Sequence, residues 1–162
     1  MKKKCNRVIR PLINTMAYST YQSSKLTKLE WNNQLIPVQA AIDRLISGDW
    51  DKYECWQPMF ECLNRIESIV KLNHIKDAMD WIHSAQDAMT TALERQRLTG
   101  AKAFKADEMA TMRSIVSTYG DLLGEVTHQQ FQQACAHTNA NVDRILAKGK
   151  QRSKLDRVVA GD

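Results

Sequence analysis

Apolar residues recur along this chain at intervals of three and four, the spacing that places them on one face of an α-helix. Trp31, Leu35, Val38, Ile42, Leu45 and Ile46 form the first stripe. Thr27 precedes it and Glu30 follows three residues later, the spacing of a capping box. The pattern predicts a helix over 28–47, stopped by Gly48, in which Pro37 introduces a kink or a late start. Tyr53, Trp56, Phe60, Leu63, Ile66 and Val70 form a second stripe. It predicts a helix running to Leu72, with Asp49 as its cap and Pro58 delaying its regular part to about 57.

A third helix is expected over 75–98, with Ile75, Met79, Ile82, Met89 and Leu93 inside and Gly100 ending it. A fourth is expected over 107–123, carrying Met109, Met112, Ile115, Val116, Tyr119, Leu122 and Leu123, its last turns weakened by Gly120 and Gly124. Thr127 and Gln130 repeat the capping spacing. Phe131, Ala134, Cys135, Thr138, Val142, Ile145 and Leu146 then make a fifth stripe ending near Gly149. No useful stretch alternates with a period of two, so no strand is predicted. Residues 11–24, rich in Ser, Thr and Tyr, show no helical face and read as an extended arm. The expectation is an all-α chain: an antiparallel bundle of about five helices over 27–149, a basic N-terminal arm over 1–26 and a basic C-terminal tail over 150–162.

Composition narrows the class without naming an activity. The 162 residues are 43% apolar, with 6 Gly and 3 Pro, which suits one domain and excludes collagen-like, disordered and disulfide-scaffold chains. No window approaches the ~18 consecutive apolar residues of a membrane span. The Lys-rich start is broken by Arg7, Arg10, Pro11 and Asn14 before any apolar stretch, so secretion is not expected. Cys5, Cys55, Cys62 and Cys135 form no CxxC pair and read as reduced thiols in a cytoplasm.

The net charge of +5 conceals segregation. Residues 1–28 carry seven basic side chains, Lys2, Lys3, Lys4, Arg7, Arg10, Lys25 and Lys28, and no acid. Residues 144–162 carry Arg144, Lys148, Lys150, Arg152, Lys154 and Arg157 against two acids. The 115 residues between hold 10 basic and 16 acidic side chains. An acidic body thus lies between basic ends that can attract phosphate, RNA or acidic protein, or serve as solvated tails.

Catalytic chemistry has little behind it. Cys55, Cys62, Cys135 and His137 lack the short ligand spacings of structural zinc, and the reading is that Cys62 and Cys135 are small core residues. No HxxxH or HExxH pair, nucleophile elbow, P-loop or dinucleotide fingerprint occurs. The expectation is no enzyme, no cofactor and no metal. What remains is surface. Asp80, Asp87 and Glu94 recur every seven residues with Asp77 a turn before, about 140° from the apolar stripe at 100° per residue. They make an anionic stripe suited to a basic groove, or an ordinary solvated face, with Arg95 and Arg97 neutralising one end and Glu54, Glu61 and Glu67 adding to it from the second helix. Trp31, Trp56 and Trp81 can reach the core, whereas Trp50, beside Gly48 and Asp49, is the candidate for an exposed anchor, or else a cover over the end of the core.

Four features together resemble a family of small uncharacterised helical proteins from proteobacterial prophages and mobile elements. They are Lys2-Lys3-Lys4-Cys5-Asn6-Arg7 running to Arg10-Pro11, Ala40-Ala41-Ile42-Asp43-Arg44-Leu45 before Gly48, the Ala- and Met-rich third helix ending Glu94-Arg95-Gln96-Arg97-Leu98-Thr99-Gly100, and the following helix with Glu108. The resemblance covers residues 1–147 and implies a mobile-element setting and a non-enzymatic role in the bacterial cytoplasm. Genes in that setting commonly encode host-takeover factors, including inhibitors of CRISPR defence.

The reading that results is a non-catalytic binding protein that docks on a host protein or ribonucleoprotein complex, such as a CRISPR effector, and inhibits it. Its contact residues would be Lys2, Lys3, Lys4, Arg7, Arg10, Trp50, Asp77, Asp80, Asp87 and Glu94. The alternative is a nucleic-acid-binding transcriptional regulator using Lys148, Lys150, Arg152, Lys154 and Arg157 together with the Gln- and Asn-rich fifth helix.

Overall fold

The computed structural model describes residues 20–75 and 78–160, with side chains described through residue 148. The chain is all-α. Its named helices are α1 (Lys28–Ile46), α2 (Gln57–Leu72), α3 (Met79–Thr99), α4 (Ala106–Glu125) and α5 (His128–Ala160), and a π-helical turn, Lys52–Trp56, leads into α2. Among the described residues the only β-type pairing is an isolated bridge between Lys25 and Thr127, and no helix is long and apolar enough to cross a membrane.

Helix α2 touches each of the other four. Its sequence explains that position, because Met59, Cys62, Leu63, Ile66, Ser68, Ile69 and Val70 are all buried and cover most of its circumference. Leu35, Val38, Ile42 and Leu45 of α1, Ile82, Ala85, Met89 and Ala92 of α3, and Met112, Ile115, Val116, Tyr119 and Leu123 of α4 close one core around it. Each large apolar side chain so enclosed contributes about 1.5–3 kcal/mol. A smaller cluster of Ile69, Val126 and Ala134 seats the start of α5.

The caps follow the sequence where side-chain chemistry is local. Thr27 and Glu30 form the capping box of α1, with Glu30 Oε2 accepting from Thr27 N at 2.8 Å. Thr127 N donates to Gln130 Oε1 at 2.9 Å at the head of α5. Helix α1 begins at Lys28 with no delay, and Pro37 lies within it on the exposed side. Gly48 (φ 91°) and Gly100 (φ 72°) take the left-handed conformation that costs glycine little. Gly120 has a different use: a Cβ there would lie 3.4 Å from Leu35 Cδ2 and 3.6 Å from Trp31 Cζ2, so α1 and α4 meet closely at this point. Trp31 Nε1 donates to the Gly120 carbonyl at 2.9 Å across the same contact.

Several expectations are corrected. Asp51, not Asp49, caps the second helical segment, accepting from Tyr53 N at 2.8 Å and Glu54 N at 2.7 Å. Asp49 instead pairs with Arg44 at 2.6 Å. The π-turn shifts the register ahead of α2, so Cys55 and Trp56 point inward while Tyr53 is 68% exposed. Ile75 lies before α3 and is exposed. Residues 20–23, expected to be extended, form a helical turn.

The largest difference is in α5, which does not end near Gly149 but continues to Ala160. One glycine costs about 1 kcal/mol in a helix, less than the Lys, Arg, Gln and Leu around it can offset by propensity and continuity. Its expected stripe is buried only in its first half. Gln130 meets Asn73, and Thr138 meets Ser68 and the Asn64 carbonyl, so contacts descend α2 as they climb α5. Beyond them Val142, Ile145 and Leu146 are exposed.

Candidate partner-binding surface

Helix α3 buries Ile82, Ala85, Met89 and Ala92 and therefore turns the opposite face to solvent. Asp80, Asp87 and Glu94 all stand exposed on that face. Among the described residues none of the three forms an ion pair, a condition shared with the exposed Asp43, Asp51, Asp107, Asp121 and Asp143.

Arg95, expected to neutralise the stripe at Glu94, is turned away from it. Its guanidinium grips the Glu108 carboxylate with two parallel bonds, Nη1 to Oε1 at 2.5 Å and Nη2 to Oε2 at 2.6 Å, and donates to the Ala103 carbonyl at 2.7 Å. Glu108 is buried in the first turn of α4 and also accepts from Lys105 N at 2.8 Å. The Arg95 guanidinium holds the Glu108 carboxyl below the usual carboxylate range, and Glu108 in turn raises Arg95. This fork staples the 100–105 loop between α3 and α4 and removes one cation from the outer face of α3. Arg97 remains exposed there.

The second helix adds less negative charge than its sequence suggested. Glu54 pairs with Arg44, Glu61 with Arg65 at 3.7 Å and Glu67 with Lys71, so the surface is largely neutralised. Exposed pairs of this kind contribute little stability but do cancel charge.

Trp50 is not an exposed anchor. It is 5% exposed, its indole Nε1 donates to the Leu45 carbonyl at 2.9 Å, and its ring packs against Trp56 and Phe104 with centroids 5.2 and 4.8 Å away. The left-handed turn at Gly48 precedes this fold-back. Asp77, Lys2, Lys3, Lys4, Arg7 and Arg10 lie outside the described residues. Lys148 is exposed on α5; Lys150, Arg152, Lys154 and Arg157 lie on the same helix beyond the described side chains.

The thiols are not assembled for chemistry. Cys55 and Cys62 are buried and Cys135 is partly buried; burial pushes all three thiols up, away from the reactive thiolate. Among the described residues no group of three or more His, Cys, Asp or Glu side chains could hold a metal.

One constellation was invisible in the sequence because its members lie about a hundred residues apart. His128 is 3% exposed at the start of α5. Its Nε2 lies 2.8 Å from Glu30 Oε2, and its Nδ1 lies 3.0 Å from the Ser24 carbonyl and 3.2 Å from Ser24 Oγ. Tyr21 stacks on the ring at 4.0 Å and donates its hydroxyl to Glu30 Oε1 at 3.0 Å. The trio has the residue types of a hydrolase relay, but Ser24 Oγ donates to the Tyr21 carbonyl at 2.7 Å and Nδ1 faces a carbonyl oxygen. Both ring nitrogens thus meet acceptors, which suits a clasp between residues 21–30 and α5 rather than a nucleophile and its base. Lys25 extends the clasp through its 2.8 Å pair with Glu125.

Compared with protein-family models, with curated proteins and with solved structures, the chain has no significant match.

Proposed function

We propose that this protein is a non-catalytic binding protein that docks the outer face of α3 on a basic groove of a host protein or nucleoprotein complex. The observation that carries this reading is the row of three exposed carboxylates, Asp80, Asp87 and Glu94, left without ion pairs while Arg95 is held by Glu108. A row of fixed negative charge on a rigid helix steers association with a positive surface and opposes association with polyanions. The scaffold is read as an antiparallel bundle of about five helices, its short connections keeping α3 rigid. One partner class that suits a mobile-element setting is an RNA-guided CRISPR effector in a bacterial cytoplasm, whose nucleic-acid channel is basic. Inhibition would follow from occupying that channel. The test is target-DNA cleavage by purified guide-loaded effectors titrated with the protein. Inhibition that disappears in the Asp80→Lys, Asp87→Lys, Glu94→Lys variant, with helical circular dichroism retained, supports the reading. Inhibition unchanged in that variant removes α3 as the interface, and a panel of effectors untouched by the wild type removes the partner class.

A second reading draws on the continuation of α5 to Ala160. Lys148, Lys150, Arg152, Lys154 and Arg157 then belong to one helix, and a basic helix can follow a DNA groove as a nucleic-acid-binding transcriptional regulator does. Titration of the full-length chain with duplex DNA at two salt concentrations separates the two readings: a regulator binds with affinity that falls steeply as salt rises, whereas a full-length chain that ignores duplex DNA at low salt removes the second reading.

A further inference from the structure

The face of α5 that begins against α2 continues beyond it. Ala134 and Thr138 are buried on that face. Val142, Ile145 and Leu146 follow Thr138 at helical spacing, so they extend the same stripe. They are 40%, 66% and 57% exposed, and the helix runs past them to Ala160. Three neighbouring large apolar side chains thus stand open to solvent on a regular helix.

The charges beside them restrict what can cover them. Arg144 and Lys148 are exposed, and among the described residues neither forms an ion pair. Lys148 lies about 60° round the helix from Ile145, at 100° per residue. Arg144 lines a hollow of about 180 Å³ between α2 and α5, with Asn64, Asn141, Val142 and Ile145 among the other walls. Its Nη2 donates to Asn141 Oδ1 at 2.8 Å, which fixes the guanidinium at that wall. The other charged walls, Glu67 and Lys71, pair with each other, so Arg144 is the unmatched charge of the hollow. The hollow is smaller than the roughly 300–1,000 Å³ of small-molecule sites and suits one inserted side chain. Asp143 stands on the Leu146 flank, so the cationic edge is the one beside Ile145.

We infer that this part of α5 is a docking face for an acidic amphipathic segment of a partner protein, its apolar side chains covering Val142, Ile145 and Leu146 and its carboxylates meeting Arg144 and Lys148. Other occupants match one half of the face and not the other. Residues 1–19 of this chain carry Lys2, Lys3, Lys4, Arg7 and Arg10 and no acid, and a second α5 is basic from Arg144 onward, so both oppose the cationic edge. The α3 row of a second copy is acidic, but Leu98 is the one large apolar side chain in line with Asp80, Asp87 and Glu94. A nucleic-acid backbone meets the cations and leaves the apolar side chains in water. The face lies on α5, so it stands or falls apart from docking through α3, and it competes with the second reading for the same helix.

The probe is a fluorescein-labelled peptide of three repeats of Leu-Glu-Glu-Leu-Leu-Glu-Glu, titrated with the full chain and followed by fluorescence anisotropy. Saturable binding that weakens as salt rises is expected. Ile145→Ser with Leu146→Ser removes the apolar contact and leaves the charge unchanged. Arg144→Glu with Lys148→Glu reverses the cationic edge. Each pair is expected to weaken binding about tenfold or more. All four side chains are exposed, and retained helical circular dichroism identifies variants that are still folded. A peptide with Ser in place of Leu, and one with Lys in place of Glu, are both expected to bind more weakly than the probe. Absence of saturable binding, equal affinity of wild type and both variants, or equal binding of the Lys peptide overturns the inference. Duplex DNA that binds the full chain while the acidic peptide does not overturns it in favour of the nucleic-acid reading.

Discussion

Arg95 and Glu108 face each other as a two-bond fork, at 2.5 and 2.6 Å, that joins the last turns of α3 to the first turn of α4. The pair does two things at once. It satisfies a carboxylate that is only 5% exposed at its side chain, and it withdraws a cation from a helix face that otherwise presents Asp80, Asp87 and Glu94. Fold and charge pattern are therefore linked through one interaction.

Glu108→Ala is predicted to destabilise the chain by about 2 kcal/mol, since it strands the guanidinium and the Lys105 N–H beside a buried cavity. The same change frees Arg95 beside Glu94 and is predicted to weaken partner binding. Chemical denaturation and a binding titration of the variant check the two effects separately. Unchanged stability contradicts the stapling role.

Glu30 supplies the pH dependence. Hydrogen bonds from Thr27, and then from His128 and Tyr21, hold its carboxyl down at about 2 from 4.5. A carboxyl lowered in the folded state stabilises it above the unfolded value and loses that contribution as pH falls toward the folded one. Wild type is thus predicted to be more stable than Glu30→Gln at pH 7, with the gap closing between about pH 4.5 and pH 2. Melting temperatures of both chains across that range decide the matter, and a constant gap contradicts the clasp.

Two glycines of α4 are predicted to respond oppositely. A Cβ at Gly124 meets nothing within 4 Å, so Gly124→Ala is predicted to stabilise by about 1 kcal/mol through helix propensity. Gly120 lies against Leu35 and Trp31, so Gly120→Leu is predicted to destabilise by about 2 kcal/mol through overpacking. Thermal unfolding of the two variants measures both signs.

Much of this architecture is legible in the residues themselves. The stripes of α1, α3 and α4 give their buried faces, and Thr27–Glu30 and Thr127–Gln130 give two helix starts, because both signals are local. Trp50 misleads for a physical reason: an aromatic beside a glycine turn reads as exposed until the turn folds it back to donate to Leu45. Tyr53 misleads because the π-turn adds a residue to the count. Val142, Ile145 and Leu146 keep helical spacing without a neighbour to cover them, since periodicity reports a face and not its partner. The stripe on α3 is visible as spacing, but its lack of ion pairs depends on Arg95 reaching Glu108, thirteen residues away. The Ser24–His128–Glu30 clasp depends on tertiary contacts alone.

If Asp80, Asp87 and Glu94 dock on a basic surface, charge reversal must remove binding. The decisive comparison is the affinity of wild type and of the Asp80→Lys, Asp87→Lys, Glu94→Lys chain for the same guide-loaded CRISPR effector at low and high ionic strength. Tight wild-type binding that weakens as salt screens the charges is expected, with binding lost in the variant at both ionic strengths. Equal affinity of the two chains, unaffected by salt, would contradict it.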